Sequence, residues 1–149
     1  MKKISLVFSV LAIVAMMFSC GDGADTQKAE KGGNGGKKDN LSGFEVQGDK
    51  VIFTFDESIY AGQLLDDIES VTVAGDFQGW DPTAADWHAT KGEGGIWTYE
   101  APLSTCPCGS KFKFVVNDID WMQPDAEKTD PKYLTDDGFG GFNLQMACE

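Results

Sequence analysis

Four tryptophans, Trp80, Trp87, Trp97 and Trp121, are the residues of this 149-residue chain best suited to recognition chemistry. A flat indole takes the apolar C–H face of a pyranose ring, while amides, carboxylates and lysines reach the hydroxyls. The four sit in different contexts. Trp97 lies inside the strand-like segment Ile96-Trp97-Thr98-Tyr99-Glu100 and reads as core. Trp87, before His88, reads equally as core or rim. Trp80 follows Gln78-Gly79 and precedes Asp81-Pro82, and Trp121 follows Asn117-Asp118-Ile119-Asp120. Both are turn contexts, where a tryptophan is either a lid on the core or an exposed platform.

Catalysis has weaker candidates. Asp66-Asp67, Asp118/Asp120 and Asp136-Asp137 supply carboxylate pairs of the kind glycosidases hold about 5–10 Å apart. A chain with 24 acidic residues produces such pairs by chance. Asp125, Asp130, Asp136 and Asp137 lack the Asp-x-Asp-x-Asp-Gly grammar of a calcium loop. His88 is the single histidine, which leaves a poor ligand set for zinc. No Gly-x-Ser-x-Gly, phosphate loop or His-based triad occurs. The expectation is a binding protein rather than an enzyme, without metal or cofactor.

The elements that must position these residues are strands. Val51, Phe53 and Phe55 alternate with Ile52 and Thr54, the period of a strand with one buried face. Val71 and Val73 flank Thr72 in the same way, ahead of the turn residues Gly75-Asp76-Phe77-Gln78-Gly79. Ile96–Glu100, Lys111–Val116 and Phe142–Ala147 complete the set, with Thr105–Gly109 reading as a hairpin connection. No stretch has a helical period, although Gly62-Gln63-Leu64-Leu65 allows one short turn. About 106 residues of short strands with Gly, Pro and Asp turns predict an all-β, antiparallel sandwich.

Charge is unevenly spread. Lys2 and Lys3 give the leader +2, residues 21–43 balance, and the residues from Phe44 onward carry −14 of the net −12. So acidic a domain repels phosphate polymers, which argues against nucleic acid and anionic lipid surfaces as partners. A neutral polysaccharide meets no such penalty, and the acidity also serves solubility.

The N-terminus reads as a secretory signal over residues 1–19: two lysines, then an uncharged apolar run of about fifteen residues, short for a membrane span. It ends at Met17-Phe18-Ser19-Cys20, which resembles the bacterial lipoprotein lipobox, with Phe18 where a small residue is usual. That resemblance implies cleavage before Cys20 and diacylation of its thiol. The protein would then be extracytoplasmic and anchored to a membrane by lipid. Gly21 after the cysteine favours the outer membrane or cell surface under the common Gram-negative sorting rule. Residues 20–43 hold the lipidated cysteine and a Gly- and Lys-rich linker with a typical reach of roughly 25–30 Å. Residues 44–149 form the domain. With Cys20 lipidated, Cys106, Cys108 and Cys148 remain, and a bridge from one of the first two to Cys148 leaves one thiol over.

Four separated blocks then occur in an order that is familiar. Val71-Thr72-Val73-Ala74-Gly75-Asp76-Phe77-Gln78-Gly79-Trp80-Asp81-Pro82 resembles the signature strand and turn of the family 48 carbohydrate-binding module. This module is also called the isoamylase N-terminal or glycogen-binding domain and occurs in the β-subunit of AMP-activated kinase. Gly95-Ile96-Trp97 with Ala101-Pro102-Leu103 is similar to its next strand. Phe112-Lys113-Phe114-Val115-Val116-Asn117 and Trp121 are similar to its lysine-bearing strand and tryptophan loop. Asp136-Asp137-Gly138-Phe139-Gly140-Gly141-Phe142-Asn143 is similar to its closing loop. The loop from Asn117 to Trp121 is one residue longer than the family's common Asp-Gly-x-Trp turn.

The resemblance spans about residues 44–147 and implies an immunoglobulin-like β-sandwich of the early-set type. It further implies that Trp80 and Trp121 stack on glucose rings of an α-glucan polysaccharide or oligosaccharide such as glycogen or starch. Lys113 would donate to sugar hydroxyls, Asn143 would both donate and accept, and Phe139 would press an apolar side chain on the ligand. It also implies that Cys108 or Cys106 meets Cys148 at the pole away from the site, with Cys108–Cys148 the expected bridge. The rival expectation is a structural module on the same sandwich that contacts another envelope protein.

Overall fold

A computed structural model describes residues 41–64 and 67–147. The signal segment, Cys20, most of the linker, Leu65 and Cys148 lie outside the described residues. Among the described residues, no helix is long and apolar enough to cross a membrane.

The chain forms an all-β antiparallel sandwich. One sheet has the order β1–β2–β5–β4, built from β1 (Phe44–Gln47), β2 (Lys50–Asp56), β4 (Thr90–Lys91) and β5 (Ile96–Pro102). The other has the order β3–β6–β9–β8, from β3 (Val71–Gly75), β6 (Lys111–Val116), β8 (Leu134–Asp136) and β9 (Phe142–Gln145). A two-residue strand, β7 (Asp120–Trp121), also pairs with β6. The alternation read from the sequence sets the faces. Val51, Phe53 and Phe55 of β2 and Phe112, Phe114 and Val116 of β6 are all buried in one core. Phe53 meets Phe112 edge-on, ring centroids 4.9 Å apart and planes at 75°. Burying each such phenylalanine contributes about 1.5–3 kcal/mol.

Three features differ from the sequence reading. Thr105–Gly109 does not close a hairpin, because β5 and β6 belong to different sheets and the connection crosses between them. Turn residues signal a reversal of the chain but carry no information on which sheet receives the next strand. Among the described residues the single α-helical turn is α1 (Glu57–Tyr60), five residues ahead of the expected place, where the Asp56 carboxylate caps the Ser58 N–H at 3.0 Å. The strands β1, β4, β7 and β8 were not anticipated. Each is two to four residues long and at least half exposed or partly exposed, which leaves little alternation to read.

Gly75 closes β3 in a place where backbones crowd. A Cβ there would meet the Lys111 carbonyl oxygen and come within 2.9 Å of Phe112 Cβ and Phe77 Cζ. That close approach lets the Asp76 N–H donate to the Lys111 carbonyl at 3.0 Å just beyond the strand.

The cysteines are divided. Cys108 is disulfide-bonded, while Cys106 is a free, buried thiol whose pKa burial pushes up to about 11. Beside Cys108, the Gly109 N–H donates to the Met146 carbonyl at 2.7 Å, and the Met146 N–H to Ser110 at 2.9 Å.

Candidate functional site

Because Phe112, Phe114 and Val116 face the core, Lys111, Lys113 and Val115 face the other side of their sheet. That outer face carries a cavity of about 670 Å³. All five side chains expected at a sugar site, Trp80, Lys113, Trp121, Phe139 and Asn143, line it. Asp76, Lys111, Gln123, Asp136 and Asp137 complete the lining.

Trp80 and Trp121 are neighbours, their ring centroids 6.2 Å apart and their planes 34° apart, although Trp121 stands on β7 rather than in the turn expected for it. Trp80 is half-buried and Trp121 is 37% exposed. The pair is therefore an angled surface rather than a flat one. Trp121 gets its place from β7: it sits opposite Val115 in the register, so both side chains leave the sheet on the same face. A tight turn at Asn117 and Asp118 leads into β7. There Asn117 and Asp118 hold φ of 50° and 64°, and the Asn117 amide accepts from the Glu69 N–H at 2.8 Å.

Trp80 is held against a cost. Its φ of 60° is a left-handed conformation that an L-residue adopts at a cost of about 1–2 kcal/mol. Three sets of hydrogen bonds fix it there. The Trp80 N–H donates to the Gly75 carbonyl at 3.0 Å. The Gln78 side chain exchanges two bonds of 2.6 Å with the backbone of Asp81. The indole Nε1–H donates to Asp76 Oδ1 at 3.0 Å, while Asp76 Oδ2 accepts from the Lys111 N–H at 2.9 Å. Asp76 thus ties the indole to β6.

Lys113 lies at the floor of the cavity and is only 5% exposed. Its ammonium donates to Asp137 Oδ2 at 2.6 Å and to Gln123 Oε1 at 3.1 Å. The expected sugar donor is thus already engaged within the protein. Asp137, which the sequence reading gave no part in the sugar site, is the reason. Its other oxygen accepts from the Phe139 N–H at 2.8 Å and the Gly141 N–H at 2.9 Å. One carboxylate therefore braces the closing loop onto the sheet. Gly138 and Gly140, at φ of 80° and 91°, turn the chain on either side of Phe139, which projects 96% exposed. Asn143 lies on β9 opposite Thr135, and among the described residues its side-chain amide makes no hydrogen bond.

The sequence matches no family model and no curated protein. The chemistry of the cavity is read from its own residues. Aromatic faces, an unengaged amide and a braced apolar loop stand there beside two lysines and three aspartates, so the cavity offers stacking surface together with hydrogen-bond donors and acceptors. No group of three or more His, Cys, Asp or Glu side chains stands together to hold a metal among the described residues.

The other two tryptophans lie elsewhere. Trp97 is core, 5% exposed, with its indole N–H donating to Glu57 Oε1 at 2.8 Å. Trp87 packs at the margin of the core, stacked on Phe77 with centroids 4.6 Å apart and planes 22° apart.

The Asp137 brace makes stability pH-dependent in a definite direction. The Lys113 ammonium, then the Phe139 N–H, hold its pKa down to about 2. A depressed carboxylate stabilises the fold fully above its unfolded pKa of about 4 and loses that contribution as pH falls toward the folded value. Thermal melts taken from about pH 5 to about pH 2 should therefore fall in the wild type and fall less steeply in Asp137→Asn. Parallel curves would remove Asp137 as the cause.

Proposed function

We propose that this domain binds an α-glucan without catalysis, in the manner of the family 48 modules its sequence resembles. The observation that carries the reading is the angled Trp80–Trp121 pair in one cavity with Asn143 and Phe139. Successive rings of an α-linked glucan turn relative to each other, so two indoles 34° apart suit a curved chain better than a flat β-linked ribbon. The −14 carried by the domain adds no repulsion toward a neutral polymer. The lipobox-like Met17–Cys20 supports a further part of the proposal: diacylated Cys20 tethers the domain outside the cytoplasm, where it retains glucan at the membrane.

Native gels containing glycogen, amylopectin, cellulose or no polymer test this directly. Retardation in the first two alone is the expected result. Equal mobility in all four gels removes the glucan reading and leaves the envelope-protein contact, for which the bare Phe139 would then be the first residue to probe. Affinity in the micromolar to millimolar range is expected for two stacking rings in an open site, on the order of −4 to −8 kcal/mol.

A further inference from the structure

Lys111 and Lys113 leave β6 on the same face, and both line the cavity, yet their ammonium groups are in opposite situations. An ammonium has three hydrogens to donate. Lys113 gives one to Asp137 Oδ2 and one to Gln123 Oε1, and at 5% exposure the third has little access to a ligand. Lys111 is only partly buried, and among the described residues its ammonium makes no ion pair and no hydrogen bond. Its backbone, by contrast, is tied at both ends to Asp76. The Lys111 N–H donates to Asp76 Oδ2 at 2.9 Å, and the Lys111 carbonyl accepts from the Asp76 N–H at 3.0 Å. Asp76 also holds the Trp80 indole at 3.0 Å. The base of the Lys111 side chain is therefore fixed relative to one stacking ring, with a four-carbon arm and a free charged end.

We infer that Lys111 is the lysine that donates to the ligand's hydroxyls, and that Lys113 is a positioning residue that anchors the Phe139 loop through Asp137. This rests on the glucan reading above. It moves to Lys111 the donor role that the sequence resemblance implies for Lys113. A compact ammonium with no partner to give up loses only water on meeting a sugar oxygen, whereas Lys113 would have to break a short bond to a buried carboxylate first.

The two lysines separate by experiment. Retardation in glycogen gels, normalised to a polymer-free gel, gives affinity, and thermal melting gives stability. Lys111→Ala should weaken glycogen binding roughly tenfold or more, the loss of one charge-assisted hydrogen bond, with the melting temperature unchanged. Lys111→Arg, which keeps a charged donor, should recover most of that loss. Lys113→Met should lower the melting temperature together with binding, because it leaves Asp137 without its cation. Lys111→Ala retarded as strongly as wild type overturns the inference. So does Lys113→Met that binds weakly yet melts as wild type, since that would return the donor role to Lys113. A wild-type domain that glycogen does not retard removes the glucan reading itself, and the inference falls with it.

Discussion

Trp121→Ala should abolish retardation of the domain by glycogen while leaving its melting temperature within a degree or two of wild type. Trp121 stands on a two-residue strand at the edge of β6, over a third exposed, so truncating it uncovers little core. In recognition sites, removing a central tryptophan typically costs about 2 kcal/mol or more. That is roughly thirtyfold in affinity, enough to take a micromolar-to-millimolar interaction out of range of a gel. Trp80→Ala should act on binding in the same way. Its effect on stability should be a modest loss: the Asp76 hydrogen bond goes, while the strain of the left-handed backbone stays, because alanine keeps the Cβ that causes it. Trp97→Ala is the useful contrast. That indole is core, and its removal should cost about 3–5 kcal/mol of stability, a loss visible in melting before any binding is measured. If Trp80→Ala and Trp121→Ala were both retarded like wild type, the aromatic pair would have no part in binding.

Asp137→Ala should have the second largest effect, and it should appear in both readouts. The substitution leaves the Lys113 ammonium buried with Gln123 as its remaining partner. It also strips the Phe139 and Gly141 N–H groups of their shared acceptor. Removing one partner of a buried ion pair destabilises more than removing both, because the orphaned charge keeps its desolvation cost. A fall in melting temperature of roughly 5–10 °C is expected, together with weaker glycogen binding as the loop bearing Phe139 loses its brace. The double variant Lys113→Met/Asp137→Ala should regain part of the lost stability. Asp137→Ala melting with wild type, or a double variant less stable than Asp137→Ala, would show that the pair does not hold the loop.

How much of this was legible in the sequence differs residue by residue. Strand alternation at Val51–Phe55 and Lys111–Val116 placed the core phenylalanines on the correct face, since period two leaves each face one sense of polarity. The same alternation puts Lys111 beside Lys113, and was the one signal that could have nominated Lys111 as a site residue. It could not rank the two. Their difference comes from Asp137, Gln123 and Asp76, which lie 24, 10 and 35 positions from their lysine or backbone partners along the chain. The connection after β5 was misassigned for a related reason: a Gly/Pro-rich reversal looks the same whether the next strand joins the same sheet or the facing one.

Local spacing therefore determined the all-β class, the buried face of each long strand and the turn that carries Trp80, because each depends on residues a few positions apart; Trp121, read as a turn residue, stands instead on the short strand β7. Tertiary structure alone decided that those tryptophans meet at 6.2 Å, that Trp80 is pinned at positive φ, and that one lysine is spent on an internal carboxylate while its neighbour is free. Those outcomes depend on which distant segments the sandwich brings to one face, and contact between such segments leaves no periodic trace in a single sequence.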